Sequence, residues 1–155
     1  MSPAREIPPP VVPRTVEDYR GMWPRTAMEE HGIELLEIDE HHAVLRMPVT
    51  DAERQPMGWL HGGMTLMLIE TAASVHACWG VNLAERVPVG VEIGAAHVLA
   101  SADGPVQAVA TVIRRSASHI FHAVEVRHAG TGQLLSSGRA TNYYRRPSGG
   151  SDLGG

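Results

Sequence analysis

Apolar residues are grouped along the chain in extended segments and one long continuous segment, and this pattern predicts the secondary structure. The segments at 33–38 and 43–49 are separated by a polar stretch at 39–42, as in a β-hairpin. Four more segments, rich in Val, Ile, Ala and Thr, occupy 88–100, 105–115, 119–129 and 133–144. Their short connections contain Gly, Pro, Asp and Ser, which favours antiparallel neighbours.

The continuous apolar segment at 63–80 predicts a buried helix. It contains one charged residue, Glu70, has no proline, and is long enough for about four turns. Because its apolar residues lie on nearly every side, we expect the rest of the protein to wrap around it. One long helix with an antiparallel sheet is an α+β fold.

The two ends of the chain have a different composition. Residues 1–14 contain five of the eleven prolines, and residues 147–155 are rich in Gly and Ser. Both are predicted to be flexible tails of one domain at 15–146. At its start, Thr15 and Asp18 have the spacing of a capping box, which predicts a short helical region that ends near a proline at position 24.

Charge and cysteine content exclude several classes of function. The formal net charge is −4 and no long basic run occurs, so a nucleic-acid partner is not expected. The single cysteine, Cys78, and the lack of a signal-peptide pattern favour the cytoplasm. The uncharged stretch at 57–69 is too short to span a bilayer, so no membrane segment is expected. The histidine and cysteine spacings predict no metal site.

Glu70 is the main catalytic candidate, because it is the only ionisable carboxylate in the apolar helix. A buried carboxylate needs partners or a shifted pKa, and both are typical of functional sites. The alternative is a structural Glu at a helix end or in an ion pair. Helical spacing places four more residues on its face, namely Gly63, Met67, Ser74 and Ala77.

The sequence His61-Gly62-Gly63 precedes the predicted helix. Backbone N–H groups at a helix start lack intrahelical acceptors, and glycines let a ligand approach closely. The motif therefore fits an oxyanion hole for a thioester carbonyl. An ordinary flexible helix entry is the alternative.

Two further residues have a structural interpretation. His97 alternates with apolar residues of the segment at 88–100, so we interpret it as a core histidine, with projection into a pocket as the alternative. The predicted face comprises Val89, Val91, Ile93, His97 and Leu99. Cys78 has no basic neighbour in sequence to stabilise a thiolate, so we interpret it as a small buried apolar residue.

The order of these features resembles the hotdog-fold thioesterases, specifically the phenylacetate-degradation (PaaI-like) and 4-hydroxybenzoyl-CoA thioesterase group. The resemblance covers residues 26–144 and includes Gly58-x-x-His61-Gly62-Gly63 and the helix with Glu70. A Gln six residues before the motif His and a Glu nine residues after it fall on Gln55 and Glu70. The fold implied is a long central helix wrapped by an antiparallel sheet.

The resemblance also implies an activity, the hydrolysis of an acyl-CoA without a metal or other cofactor. The Gly62 N–H would polarise the thioester carbonyl, Glu70 would attack it or activate water, and His61 and Gln55 would orient the groups. The substrate would also contact Gly63, Ser74, His97, Arg114 and Arg115. Subunits would form a homodimer and then a homotetramer.

Each active site would then be shared, with Gln55 and Gly62 of one subunit facing Glu70 of its neighbour. The chain differs from its relatives at the coenzyme A end, where Gly94-Ala95-Ala96-His97 replaces Asn-x-Asn-His and Ala117 replaces a basic residue. The acyl group stays open between aryl, short and medium chains. Alternative functions are a non-catalytic acyl-CoA sensor, a hotdog hydratase or dehydratase, and an interaction scaffold.

Overall fold

A computed structural model describes residues 12–147 and places the predicted strands in one antiparallel sheet. The strand order is β1-β2-β4-β5-β6-β3. The strands are β1 (Glu34–Ile38), β2 (His42–Met47), β3 (Val87–His97), β4 (Val106–Arg115), β5 (His119–His128) and β6 (Leu134–Arg145). The predicted hairpin is confirmed, since β1 pairs with β2. Both predicted tails lie outside the described residues, apart from 12–14 and residue 147.

Between residues 12 and 147, three α-helices accompany the sheet. They are α1 (Val16–Arg20), α2 (Ala27–Glu30) and the long α3 (Gly62–Cys78). Side chains of α3 pack on one face of the sheet and form the main core with strand residues such as Leu45 and Val124, which are almost fully buried. The buried residues of α3 in this core are Leu68, Ile69, Ala72 and Ala73. The α+β prediction is confirmed.

The opposite side of α3 carries a partly exposed stripe, and Glu70 lies on this stripe. Glu70 is exposed, so the prediction that its carboxylate is buried is wrong for the single chain. The sheet covers one side of α3 only, and the composition of the helix did not reveal which side stays open. Ala77 was placed on the Glu70 face, but it is fully buried in a second core cluster with Val81, Ile120 and Tyr144.

The helix α1 is capped as its sequence predicts. The Asp18 carboxylate accepts the Thr15 backbone N–H at 2.9 Å. Tyr19 of α1 is buried, and the Trp23 indole that follows donates to the Ile33 carbonyl at 2.6 Å. The N-terminal helices are therefore attached to the domain just before β1. Near the start of the described chain, the Arg14 carbonyl accepts the Trp79 indole N–H.

A buried carboxylate that the sequence pattern did not reveal fixes the loop before α3. Glu53 lies in a 3₁₀ turn at Asp51–Glu53, is 1% exposed, and accepts the Thr50 N–H and hydroxyl at 2.8 and 2.6 Å. His31 Nδ1 lies 2.7 Å from its other oxygen. Burial raises the pKa of Glu53, but the hydrogen bonds from Thr50 and His31 outweigh it and lower the pKa. The Glu53 carbonyl accepts the His61 N–H, which positions the helix start.

Two buried histidines, His76 on α3 and His122 on β5, form a second polar contact within the core. Their Nδ1 and Nε2 atoms are 2.8 Å apart, and His76 Nε2 lies 2.9 Å from the Asp39 carbonyl. Burial, with a smaller effect of Arg115, lowers the pKa of His76 to about 4. Burial and the neighbouring His76 lower that of His122 to about 3. Both imidazoles are therefore neutral at pH 7.

The unfolding free energy is expected to fall as the pH decreases from about 6.5 to 4. The unfolded chain binds protons at its histidines near pH 6.5, whereas folded His76 and His122 resist protonation until the pH reaches their lowered values. The contribution of these two neutral histidines to the unfolding free energy is therefore fully present above about pH 6.5 and is lost progressively below it. Denaturant unfolding of wild type and His122→Phe at several pH values measures this, and the variant should show a shallower dependence. An equal dependence in both proteins would contradict the assignment, and exposed His41→Asn is the matched control.

Candidate active site

The N-terminus of α3 has the geometry of an anion-binding site. His61 is the N-cap, and its Nδ1 accepts the Gly63 N–H at 2.8 Å. This bond places the proton of the neutral ring on Nε2, which is then free to donate. The Gly62 N–H has no acceptor among residues 12–147. One backbone donor at the positive end of the helix thus remains for a ligand.

A cavity of about 300 Å³, here called the Gly62 cavity, lies beside this helix start. His97 of β3 borders it, and its Nδ1 lies 2.8 Å from the Ser136 hydroxyl. A Cβ on Gly62 would approach His97 Nε2 to 2.8 Å, so a larger residue there would have to displace the His97 ring. The lining of the Gly62 cavity includes Gln55, Trp59, Gly62, Thr65, His97 and Ser136.

His97 is exposed, so its interpretation as a core histidine is wrong. His97 pairs with buried Ser136 and lies on the same side of β3 as Ile93, but it is the last residue of the strand. A β-bulge between Gly90 and Glu92 breaks the alternation that joined these two residues to Val89. Val89, before the bulge, pairs with exposed Tyr143, whereas Ile93, after it, packs against the core. The predicted single face is therefore split. Leu99, the last member of the predicted face, lies beyond the end of β3.

A second cavity, here called the Glu70 cavity, has a volume of about 340 Å³ and follows the open stripe of α3. Glu70 forms no ion pair or hydrogen bond with any described residue, so the structural ion pair considered above is not present there. Its Oε1 lies against Gly90 of β3, where a Cβ would be 2.6 Å away. The lining consists of Tyr19, Met22, Trp23 and Met28 from the N-terminal region and Met67, Glu70, Thr71, Ser74, Val75 and Cys78 from α3.

Ser74, one turn beyond Glu70, is held by a residue that the sequence did not single out. The buried Asn142 side chain donates to the Ser74 hydroxyl oxygen at 2.9 Å. The Ser74 O–H thus remains free to donate toward the cavity. Asn142 is one of several polar residues in β6, and its partner on α3 is 68 residues away, so no local signal singled it out.

The two predicted coenzyme A contacts differ in their surroundings. Arg115 donates to the carbonyls of Trp79 and His76 at 3.2 and 3.4 Å, at the C-terminal end of α3. Arg114 is exposed and forms no hydrogen bond or ion pair with the described part of the chain. Arg115 is thus engaged by its own chain, whereas Arg114 is available to a ligand.

Cys78 lies at the far end of the Glu70 cavity from Met67. Burial raises the pKa of its thiol to about 12, so a thiolate is disfavoured, in agreement with its interpretation as a small apolar residue. Within the described ranges, no group of His, Cys, Asp and Glu side chains is arranged to hold a metal ion. No helix of residues 12–147 has the length and apolarity to cross a membrane.

The predicted site residues are therefore divided between two places in one chain. Gln55, Gly62 and His97 border the Gly62 cavity, whereas Glu70 and Ser74 border the Glu70 cavity. No described residue lines both cavities. Within one chain, the Gly62 N–H and the Glu70 carboxylate therefore belong to different cavities.

Replacing Gly90 by Ala is expected to lower kcat by up to about 10²-fold, because the new Cβ would displace the Glu70 carboxylate. Stability should change little, since the displaced atom is the end of a flexible, exposed side chain. Thioester cleavage and thermal unfolding measure the two effects. Gly94→Ala on the same strand is the matched control, since its Cβ meets nothing within 4 Å. Unchanged kcat in Gly90→Ala would show that Glu70 does not act from this position.

One long helix packed on an antiparallel sheet is the arrangement of the hotdog fold. A thioesterase from Haemophilus influenzae has this fold, with a TM-score of 0.80 and 27% identity over 86% of this chain and 92% of that chain. A thioesterase from Staphylococcus aureus, solved as a Gln→Ala variant, gives a TM-score of 0.74 and 30% identity over 77% of this chain and 98% of that chain.

Sequence comparison identifies the family. The model of the Thioesterase superfamily matches residues 57–135. The 1,4-dihydroxy-2-naphthoyl-CoA hydrolase of Listeria monocytogenes is 33% identical over 113 residues, which are 73% of this chain and 90% of the relative. The chain belongs to the Thioesterase superfamily and is a thioester hydrolase. The resemblance to hotdog thioesterases is thereby confirmed.

Proposed function

We propose that this protein hydrolyses acyl-CoA thioesters with an aryl or a short to medium acyl group, at a site shared by two subunits. The observation that supports this most directly is the division of the chemistry between the two cavities. The Gly62 cavity offers a free backbone N–H, and the Glu70 cavity offers an unpaired carboxylate. A partner subunit would bring the two together.

In this mechanism the Gly62 N–H binds the thioester oxygen and stabilises the negative charge that develops on it. The Glu70 carboxylate attacks the carbonyl carbon or removes a proton from the attacking water. The tetrahedral intermediate collapses, the C–S bond breaks, and coenzyme A leaves as its thiol after taking up a proton. If Glu70 attacks directly, water then hydrolyses the resulting anhydride.

The side chains around these groups position the substrate. His61 caps α3 through Nδ1, so its Nε2–H can donate to the substrate or to Gln55. The free hydroxyl hydrogen of Ser74 can orient the attacking water or the acyl oxygen one turn from Glu70. We assign Arg114 to the phosphates of coenzyme A, since Arg115 is engaged within its own chain. We assign Gly63 and His97 to substrate contacts as well, and of these two residues His97 borders the Gly62 cavity.

Named relatives support Gln55 and Glu70 as the functional pair. One Staphylococcus aureus protein has been solved as a Glu→Ala variant and as a Gln→Ala variant, the latter named as a thioesterase. The two altered positions have the same separation in sequence as Gln55 and Glu70 here. The Listeria monocytogenes relative, named as a 1,4-dihydroxy-2-naphthoyl-CoA hydrolase, favours an aryl group among the candidate substrates.

Exposed apolar surface supports the dimer. Strand β3 is an edge of the sheet, so one side of it pairs with no strand of residues 12–147, and Val91 on it is 56% exposed. Met57 is 79% exposed and Trp59 46% exposed beside the Gly62 cavity. We propose a homodimer that covers these surfaces and then pairs into a homotetramer. The single cysteine agrees with a cytoplasmic location.

The experiment that tests this function is a purified-protein screen of aroyl-CoA and alkanoyl-CoA thioesters with a thiol-detecting reagent. Release of coenzyme A from at least one thioester is expected. Enoyl-CoA hydration, measured on the same preparation, tests the hydratase alternative. Binding of acyl-CoA without release of thiol would favour the sensor alternative.

A further inference from the structure

One hydroxyl group in the lining of the Gly62 cavity has no hydrogen-bond partner. Three lining residues carry a hydroxyl, namely Thr65, Ser101 and Ser136. The Ser101 hydroxyl donates to the Asp103 carbonyl at 2.7 Å, and the Ser136 hydroxyl lies 2.8 Å from His97 Nδ1. Thr65 is 2% exposed, yet its hydroxyl forms no hydrogen bond with any residue between 12 and 147. Buried hydroxyls nearly always have a partner, because an unpaired one is costly.

The usual partner of a helical threonine is not available to Thr65. A threonine hydroxyl in a helix commonly donates to the carbonyl four residues earlier, as Thr71 does to Met67 at 2.7 Å. For Thr65 that carbonyl belongs to His61, which already accepts the N–H groups of Met64 and Thr65 at 3.0 and 3.1 Å. A carbonyl oxygen has two lone pairs, so both are occupied. The start of α3 thus leaves the Thr65 hydroxyl without a local acceptor.

The Thr65 side chain lies beside the free N–H of Gly62. The two residues are three positions apart on α3, which places them on one face, and the Cα–Cβ bonds of a helix tilt toward its N-terminus. Both residues line the same cavity. A ligand atom can reach the Thr65 oxygen, because it is not one of the fully enclosed unpaired atoms of residues 12–147, which are Tyr19 Oη, His122 Nδ1 and Asn142 Oδ1.

We propose that Thr65 is a second donor to the thioester oxygen, so that its hydroxyl and the Gly62 N–H together form the oxyanion hole. The hydroxyl hydrogen points to the carbonyl oxygen of the substrate, and this bond strengthens as negative charge develops there. The hydroxyl keeps its proton throughout the reaction. The proposal rests on the proposed function, because it places the thioester carbonyl in the Gly62 cavity.

The kinetic test removes the hydroxyl and keeps the shape of the side chain. Thr65→Val should lower kcat about 10²-fold, the effect of one oxyanion donor, and change KM much less. Thr65→Ser retains a hydroxyl and should keep most of the wild-type kcat. A loss in Thr65→Val that Thr65→Ser shares in full would indicate a packing effect and overturn the proposal. Thr141→Val is the matched control and should have the wild-type kcat, because this buried threonine lies outside both cavities.

Thermal unfolding separates this role from a structural one. Valine removes an unpaired hydroxyl, so unliganded Thr65→Val should melt at the same temperature as wild type or higher. Thr141→Val should melt at a lower temperature, because the Thr141 hydroxyl donates to the Glu92 carboxylate at 3.2 Å. A decrease in Thr65→Val as large as that in Thr141→Val would show that the Thr65 hydroxyl is bonded within the protein, which contradicts its role as a free donor.

A carbonyl probe tests the same contact without turnover. In phenacyl-CoA a methylene group separates the ketone from the sulfur, so this analogue is not hydrolysed, and hydrogen bonds to the ketone oxygen lower its infrared stretching frequency. The frequency of bound phenacyl-CoA, isotopically labelled at the carbonyl, should be lower in wild type than in Thr65→Val. Thr65→Ser should resemble wild type. Equal frequencies in wild type and Thr65→Val would overturn the role of Thr65.

The outcomes separate this proposal from the proposed function. Cleavage of thioesters with an unchanged kcat in Thr65→Val overturns the role of Thr65 and keeps the thioesterase. If no thioester is cleaved, the proposed substrate class is wrong, and the carbonyl frequency of phenacyl-CoA decides the role of Thr65. If phenacyl-CoA does not bind either, the Gly62 cavity takes no carbonyl group of this kind and both proposals are wrong.

Discussion

Glu70→Gln is expected to lower kcat by about 10²-fold or more with an unchanged fold. Glutamine keeps the size of the side chain but removes the charge that either attacks the carbonyl or activates water. Because Glu70 is exposed and has no ion-pair partner in the described structure, the replacement breaks no stabilising contact. Steady-state kinetics with the best thioester of the screen and thermal unfolding measure both parts.

The matched control is Glu40→Gln, which removes one carboxylate from an exposed turn outside both cavities. Its kcat should equal that of wild type. Activity of Glu70→Gln within a few-fold of wild type would remove Glu70 from the mechanism. A large loss accompanied by a lower Tm would instead point to a structural role.

Mixing two inactive variants is expected to restore about one quarter of the wild-type activity. If Gln55 and Gly62 of one subunit meet Glu70 of the other, a dimer of one Glu70→Gln chain and one Gln55→Ala chain has both lesions in one site and none in the other. Random co-refolding makes about half of the dimers mixed, and each mixed dimer has one intact site. The location of the three residues in two separate cavities of one chain supports this arrangement.

The experiment needs proof that subunits have exchanged. Chains with tags of different mass identify mixed dimers by native mass spectrometry, and each variant refolded alone gives the background. Mixed dimers without recovered activity would show that the two residues act within one chain. Glu70→Gln co-refolded with Glu40→Gln is a further control, because it leaves one intact Glu70 per mixed dimer and should also retain activity.

The proposed sharing of the site between subunits has a physical basis in the sequence of α3. A helix with apolar residues on nearly every side needs cover on every side, but the sheet of one chain covers only part of it. The open stripe contains the one carboxylate of the helix, and the glycine-rich helix start lies beside a different cavity. Covering the stripe with a second copy would complete both the core and the site.

Local pattern predicted the secondary structure and singled out Glu70 and the His61-Gly62-Gly63 turn, whereas the resemblance to a family added Gln55. The strands and α3 begin and end within a few residues of their predicted limits, because side-chain periodicity and turn residues act over short distances. The spacing of Gln55, His61 and Glu70 was likewise readable without a structure. Capping of α1 by Asp18 is a contact between near neighbours and was predicted for the same reason.

Only the tertiary structure decided which side of each element faces which neighbour. The bulge in β3 split the face predicted for Val89, Ile93 and His97, since one extra residue turns the following side chains to the other face, and His97 is exposed at the end of the strand. The pairs His76 with His122 and Ser74 with Asn142 join residues 46 and 68 positions apart. Such contacts depend on strand register and on the packing of α3, which no local pattern contains. For the same reason, the sequence suggested a buried Glu70, whereas the structure placed this carboxylate on the open side of the helix.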